Sequence, residues 1–255
     1  MDGTTPAPQA GFGTGTAASI RLIDVHLELA SAAGPVNILR GIDLSVAAGE
    51  VVSIVGPSGS GKSSLMMLIG GLERPTRGKV EVAGRELSTA SEDALALFRR
   101  DHVGIVFQNF HLIPTMTALE NVAIPLEFAG AAGAFDRAAE RLRAVGLGHR
   151  LSHYPGQLSG GEQQRTALAR AFAADPDVIL ADEPTGNLDA TSANDVLSLL
   201  SKLNKDHGKT IVMVTHDPHA ARFSSLIRFL DKGELLPLGQ TPEDWALNVS
   251  ARGNA

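Results

Sequence analysis

Apolar residues along this chain recur in two rhythms, and each predicts a different layer. Val51–Val55 and the stretches 103–107, 178–181 and 211–214 are short, almost unbroken apolar runs, as expected of parallel strands buried on both faces. Across 20–46 and 79–83 apolar and polar positions alternate instead, which predicts half-buried strands of an antiparallel layer. Elsewhere the period lengthens to that of a helix. Leu65, Leu68 and Ile69 follow the first run, and Leu119, Val122 and Leu126 share one face of 117–129. In 134–145 the apolar positions Phe135, Ala139, Leu142 and Val145 oppose Asp136, Arg137, Glu140, Arg141 and Arg143, with Gly146 placed as the C-cap. Residues 189–204 read as another amphipathic helix, and 226–236 as a hairpin around Lys232-Gly233. Strands alternating with helices make this an α/β chain.

The buried runs end in chemistry. After Val51–Val55 comes Gly56-Pro57-Ser58-Gly59-Ser60-Gly61-Lys62-Ser63-Ser64 and then a helical pattern, the strand, glycine turn and helix of a phosphate-binding loop. Its glycines let backbone N–H groups curl round a β-phosphate, Lys62 brings charge to the β and γ oxygens, and Ser63 offers a hydroxyl to Mg2+. The run 178–181 leads into Asp182 and Glu183. Beyond a buried strand's carboxyl end, the first acid is placed to hold Mg2+ and the second to reach the water that attacks a γ-phosphate. The run 211–214 leads into Thr215-His216-Asp217, where His216 can donate to the γ-phosphate and orient Glu183 or the water. Gln108 follows 103–107, and its amide can contact both Mg2+ and the attacking water. In isolation such groups are solvated surface residues; downstream of a phosphate loop the weight shifts to chemistry.

A separate stretch, Leu158-Ser159-Gly160-Gly161-Glu162-Gln163-Gln164-Arg165, predicts a helix start. Ser159 is the N-cap, Glu162 closes a capping box, and Ala167, Leu168 and Ala171 continue an apolar face. Gly160 and Gly161 disfavour the helix, yet leave its first N–H groups open to an anion.

Together these residues resemble the ATP-binding subunit of ABC transporters over nearly the whole chain. In that family's terms, residues 56–63 look like Walker A, Gln108 the Q-loop, LSGGE the signature, VILADE Walker B, Asn187-Leu188-Asp189 the D-loop and His216 the switch histidine, in the family's order. The resemblance implies a P-loop NTPase of ABC type, with an antiparallel β layer and an inserted α-helical subdomain. The ATPase domain is expected over 19–238, its helical insert over about 109–165, and short tails over 1–18 and 239–255. ATP and Mg2+ are the implied ligands, with Glu183, His216, Gln108 and Lys62 catalytic and Ser63, Gln108 and Asp182 toward the metal. A head-to-tail homodimer is also implied. In it Ser159, Gly160, Gly161 and Glu162 close over the ATP of the second copy, and Asp189 links the two sites.

Finer likeness lies in 107–122, in Tyr154-Pro155-Gly156-Gln157-Leu158 and in Glu183-Pro184-Thr185-Gly186-Asn187-Leu188-Asp189, which look like the group containing LolD, MacB and FtsE. Within it, 102–121 most resembles the YbbA-type ATPases. This implies a separate integral-membrane permease that docks near 110–116, with membrane contact only through it, on the cytoplasmic face of the inner membrane. It further implies ATP-driven export, lipid or lipoprotein extraction, or mechanical transmission. An FtsE-like regulator of an envelope partner without transport is the alternative, and a soluble DNA- or ribosome-associated ATPase a remoter one. The chain departs from many relatives in having no Phe, Tyr or Trp within 24–37 to stack on adenine. Leu29 takes that place, with His26 the one flat ring nearby, so only modest discrimination between ATP and GTP is expected.

Composition narrows the classes. With 255 residues, 44% of them hydrophobic, and no cysteine, the chain can bury one sizeable core without disulfides, as suits a reducing cytosol. A net charge of −6 gives no basic footprint for nucleic acid. No apolar run approaches the roughly 20 residues of a membrane helix. Residues 1–18, rich in Gly, Ala, Thr and Pro, read as a flexible tail and not as a signal peptide, and Trp245 as a packing anchor.

Overall fold

The computed structural model describes residues 18–31 and 34–238. In chain order its strands are β1 (Ala18–Ser31), β2 (Gly34–Ala47), β3 (Val51–Val55), β4 (Arg77–Val82), β5 (Arg85–Glu86), β6 (Val103–Val106), β7 (Val178–Asp182), β8 (Thr210–Val214), β9 (Leu226–Asp231) and β10 (Glu234–Leu235). The α-helices are α1 (Lys62–Ile69), α2 (Glu92–His102), α3 (Ala118–Phe128), α4 (Ala134–Ala144), α5 (Gly160–Ala171), α6 (Ala190–His207) and α7 (Pro218–Ala221). A 4-stranded sheet of order β2-β1-β4-β5 is antiparallel throughout, and a 6-stranded sheet of order β10-β9-β3-β8-β7-β6 is parallel except at its β9–β10 hairpin.

The unbroken apolar runs are explained by what covers the parallel sheet. Val178, Leu180, Val212 and Val214 point into a core shared with α1 and the antiparallel sheet. Their alternate neighbours Ile179, Ala181, Ile211 and Met213 pack on the other face against Leu168 of α5 and Val196, Leu197 and Leu200 of α6. Both faces are covered, so polar residues do not alternate with apolar ones, and Ser53 inside β3 is buried with its hydroxyl 2.6 Å from that of Ser224. A third core joins α3 and α4 to α5, through Val122, Leu126, Ala138, Leu142 and Ala169.

That helical layer corrects one expected face. Phe135 is 45% exposed, and the buried positions of α4 are Ala134, Ala138, Ala139 and Leu142. Small alanines let α3 approach closely, and Phe135 falls on the outer side of the turn. Val145, not Gly146, is the C-cap; Gly146 follows in the left-handed region at φ 78° and donates its N–H to the Arg143 carbonyl at 3.0 Å. Helix α2 carries no legible apolar stripe, because only Leu95 and Phe98 are buried. Its start is a cap, with the Ser91 hydroxyl accepting from the Ala94 N–H at 3.2 Å and Glu92 and Asp93 in the first turn. Ala18 already belongs to β1, and Trp245 lies outside the described residues.

Candidate active site

Because β3, β6, β7 and β8 run parallel and adjacent, their carboxyl ends share one edge, and the loops leaving them converge there. A cavity of about 730 Å3 lies at that edge, lined by residues 56–59 and 61–64 of the phosphate loop and by Ile38, Gln108, Glu183 and His216. The loop's tightest point is Gly56, at φ 152°, where a β-carbon would collide with the Leu230 carbonyl oxygen. Gly61, at φ 103°, begins α1, and a β-carbon there would stand 2.9 Å from Leu39.

The residues present suit a polyphosphate. Lys62 is buried, and its ammonium donates to the carbonyls of Gly56 at 2.9 Å and Pro57 at 2.7 Å, bending back along the loop. Burial pushes its pKa down, and the nearby carboxylates of Glu183 and Asp182 oppose that shift. The Ser60 hydroxyl is buried in the same loop with no hydrogen-bond partner. A cation already stripped of water and turned toward a glycine cradle is what a phosphate group requires. For Mg2+ the donors are hard oxygens: the Ser63 hydroxyl stands 3.5 Å from Asp182 Oδ1. Among the described residues no cluster of three or more His, Cys, Asp or Glu could hold a metal. One carboxylate and one hydroxyl fit an ion that is otherwise coordinated by phosphate oxygens and water.

Asp182 has its pKa raised, first by burial and then by Glu183, against the Ser63 hydrogen bond and Lys62. A carboxyl whose folded value lies above its unfolded one binds more protons when folded within that window, so stability falls as pH rises through it and the cost persists above. Asp182→Asn is therefore expected to raise the Tm of nucleotide-free protein at pH 7.5 by about 2 °C. If Asp182 holds Mg2+ as the sequence implies, the same change is expected to abolish Mg2+-dependent turnover; a lowered Tm in differential scanning calorimetry would contradict the account.

Glu183 continues β7 past its end, donating its N–H to the Val214 carbonyl at 2.8 Å, and takes a positive φ of 44°. The turn aims its side chain toward His216, whose Nδ1 lies 2.8 Å from Glu183 Oε1. Gly186, which the sequence marks only as part of the 183–189 likeness and without a role, stands beside the site. A β-carbon there would stand 2.8 Å from Gln108 Nε2 and 3.4 Å from Glu183 Oε2, so its absence lets both the amide and the carboxylate lie against the loop backbone. Asn187 Nδ2 donates to the Gln108 carbonyl at 3.2 Å and to Asn109 Oδ1 at 3.0 Å, tying the two loops.

The other expected residues stand apart from this cavity. Ser159 caps α5 and Glu162 completes the box, its Oε2 accepting from the Ser159 N–H at 2.8 Å and its Oε1 from Arg150 Nε at 2.9 Å. The Ser159 N–H, and then Arg150, hold the Glu162 pKa below the usual carboxylate range. Asp189 caps α6, accepting from the N–H groups of Thr191 and Ser192 at 3.0 Å each. The two glycines differ in what surrounds them. A β-carbon on Gly161 would stand 2.7 Å from the Ser192 hydroxyl, whereas one on Gly160 would find nothing nearer than Leu188 at 3.7 Å. Contacts within the chain thus account for Gly161 and leave Gly160 unexplained. Leu29 is 43% exposed on β1, paired with Val36, and does not line the cavity; Ile38 on β2 is the apolar residue that does.

Away from the cavity, Leu97, Ile105, Ile124, Pro125 and Phe128 line an apolar cleft of about 460 Å3 with Arg170 at its wall. Phe128 is 75% exposed there and Leu97 51%. Residues 110–116 do not line it. Among the described residues no helix is long and apolar enough to cross a membrane.

Comparison with known proteins agrees with this geometry. The family model described as ABC transporter matches residues 39–186. The ABC transporter ATP-binding protein YbbA of Escherichia coli is 50% identical over 198 residues, covering 76% of this chain and 87% of YbbA. The lipoprotein-releasing system ATP-binding protein LolD 2 of Caulobacter vibrioides is 49% identical over 205 residues, covering 80% of this chain and 90% of LolD 2. The macrolide export ATP-binding/permease protein MacB of Rhodopseudomonas palustris is 48% identical over 216 residues, covering 84% of this chain, which spans only 33% of that longer protein. Among solved structures, a dimeric post-hydrolysis form of the cassette MJ0796 with ADP and phosphate bound matches with a TM-score of 0.80 and 43% identity, covering 86% of this chain and 97% of that one.

Proposed function

This chain belongs to the ABC transporter ATP-binding family, of the group that includes YbbA, LolD and MacB, and from that membership we propose that it drives a separate membrane permease by dimerising head to tail on Mg·ATP. It hydrolyses ATP to ADP and phosphate. One observation carries the reading: four strand ends bring Lys62, Gln108, Glu183 and His216 to one cavity, while the Ser159-Gly160-Gly161 helix start lies outside it. A cavity lined by the phosphate loop in one copy and, in the other, a capped helix start whose Gly160 has no role within its own chain complement each other between copies. The dimeric state of the related MJ0796 cassette supports the same arrangement.

In this mechanism the phosphate loop and Lys62 hold the β- and γ-phosphates. Ser63 and Asp182, with Gln108 beside them, would hold Mg2+, which would neutralise charge on the phosphate oxygens. Glu183 accepts a proton from water as that oxygen bonds to the γ-phosphorus. The bond to the bridging oxygen breaks, its electron pair leaves with ADP, and inorganic phosphate is released. His216, at 2.8 Å from Glu183 Oε1, holds the carboxylate in line. The partner's Ser159 turn completes the site by binding the γ-phosphate, so closure depends on that group.

A permease on a second chain is supported by the match to YbbA and LolD 2, named as ATP-binding proteins and covered over 87% and 90% of their lengths, whereas the ATP-binding/permease protein MacB is covered over 33%. The cleft of Leu97, Ile124 and Phe128 supports docking, being apolar and open beside the helical layer. If two copies form each site, specific activity is expected to rise with protein concentration at saturating Mg·ATP until dimers saturate. Specific activity independent of protein concentration down to the nanomolar range, with monomers confirmed by light scattering, would refute the shared site.

A further inference from the structure

Helix α5 grips both catalytic loops from behind. Its Gln164 is fully buried and donates from Nε2 to the Pro184 carbonyl at 2.7 Å, one residue after Glu183. Nearly two turns later, Arg170 donates to the His111 carbonyl at 2.6 Å and to the Phe110 carbonyl at 2.9 Å, in the loop that follows Gln108. Phe110 and His111 both lie in the left-handed region, at φ 60° and 48°, which side-chain-bearing residues hold only where their surroundings enforce it.

Arg170, half-buried on the wall of the apolar cleft, is an uncommon choice for bracing a loop. Burial lowers its pKa, and among the described residues no carboxylate pairs with it. An apolar side chain of similar volume packs such a site without desolvating a charge. What the guanidinium adds is a rigid planar fork that fixes two carbonyls relative to the helix axis. The same helix begins at the Ser159 cap, and Arg170 lies about 15 Å farther along it by helical rise.

We propose that Gln164 and Arg170 are positioning residues that make α5 a rigid connector between the two ATP sites of the dimer. When the Ser159 turn engages the ATP of the other copy, α5 carries Pro184 and the Phe110-His111 segment with it and sets Glu183 and Gln108 in its own site. Each site is thereby set for turnover faster when its chain has engaged the opposite one. The proposal rests on the ABC ATPase reading above.

The test is steady-state ATP hydrolysis by the full chain. Arg170→Met is expected to lower kcat about ten- to hundredfold, the cost of a small misplacement of reacting groups, with the KM for ATP within about twofold. Arg170→Lys, which keeps a donor, should recover part of the rate. Combined with Gln108→Ala, Arg170→Met should cause no further loss, because both act through one group. Gln164→Met, near-isosteric and neutral, should show the same kcat-only loss and serves if Arg170→Met fails to fold. Unchanged kcat in Arg170→Met or Gln164→Met, equal losses through KM, or losses that multiply with Gln108→Ala would each overturn the connector. A wild-type chain with no turnover, or with turnover indifferent to Glu183→Gln, would instead overturn the ATPase reading itself.

Discussion

Glu183→Gln is expected to lower kcat for ATP hydrolysis by about 10²- to 10⁴-fold, the usual worth of a positioned general base. The side chain keeps its size and one acceptor oxygen, so the His216 contact at Oε1, now 2.8 Å, can persist through the amide. What disappears is the capacity to take a proton from water. Nucleotide affinity should remain within about twofold, because the phosphate loop and Lys62 are untouched. With hydrolysis blocked and the γ-phosphate retained, the dimer should accumulate: gel filtration in Mg·ATP should move the variant to twice the monomer mass, and ADP should return it. Near-normal turnover would remove Glu183 from the role of base.

Ser159→Arg is the second large effect and discriminates between a site built within one chain and one built across two. Losing the cap, whose hydroxyl now accepts from the Glu162 N–H at 3.3 Å, costs about 1 kcal/mol of helix stability, too little to unfold a domain. The bulk of arginine at the anion-binding turn should nonetheless reduce turnover below about 1% of wild type while ATP binding survives. Mixing provides the stringent measurement. Lys62→Ala is dead in its phosphate loop but keeps its Ser159 turn, whereas Ser159→Arg has the reverse lesion. In a head-to-tail pair one of the two shared sites is then whole. A 1:1 mixture should be more active than either variant alone, with about a quarter of wild-type activity as the ceiling set by random pairing and a lower value to the extent that α5 couples the two sites. Failure of two folded, nucleotide-binding variants to complement would sink the assignment of the turn to the partner's ATP.

Much of this site is legible in the chain because it is local. A phosphate loop needs only a strand, a glycine turn and a helix in succession, so residues 51–69 contain their own context. The capping box of Ser159 and Glu162 is likewise a four-residue device, formed as its spacing demands. The apolar runs announced strands buried on both faces, and Asp182, Gln108 and His216 could be placed at their ends before any sheet order was known. Nothing local marks Ile38, which reaches the cavity from β2, or Gly186, whose reason is the distant Gln108. Phe135 misleads for a related cause. Helical spacing gives a face but not its partner, and the partner α3 wanted alanines.

The sequence by itself determined which chemistry the chain carries, because backbone conformation, strand burial and capping are dictated by near neighbours along the chain. Only the tertiary structure decided how those parts meet. Parallel pairing in the order β3-β8-β7-β6 brought four strand ends to one edge, and the absence of a side chain at Gly186 let the Gln108 amide and the Glu183 carboxylate both lie against its backbone. Likewise Gln164 and Arg170 of one helix came to hold loops whose residues lie 20 and about 60 positions away. Contacts at such separations depend on how helices and sheet pack together, and no periodicity along the chain encodes them.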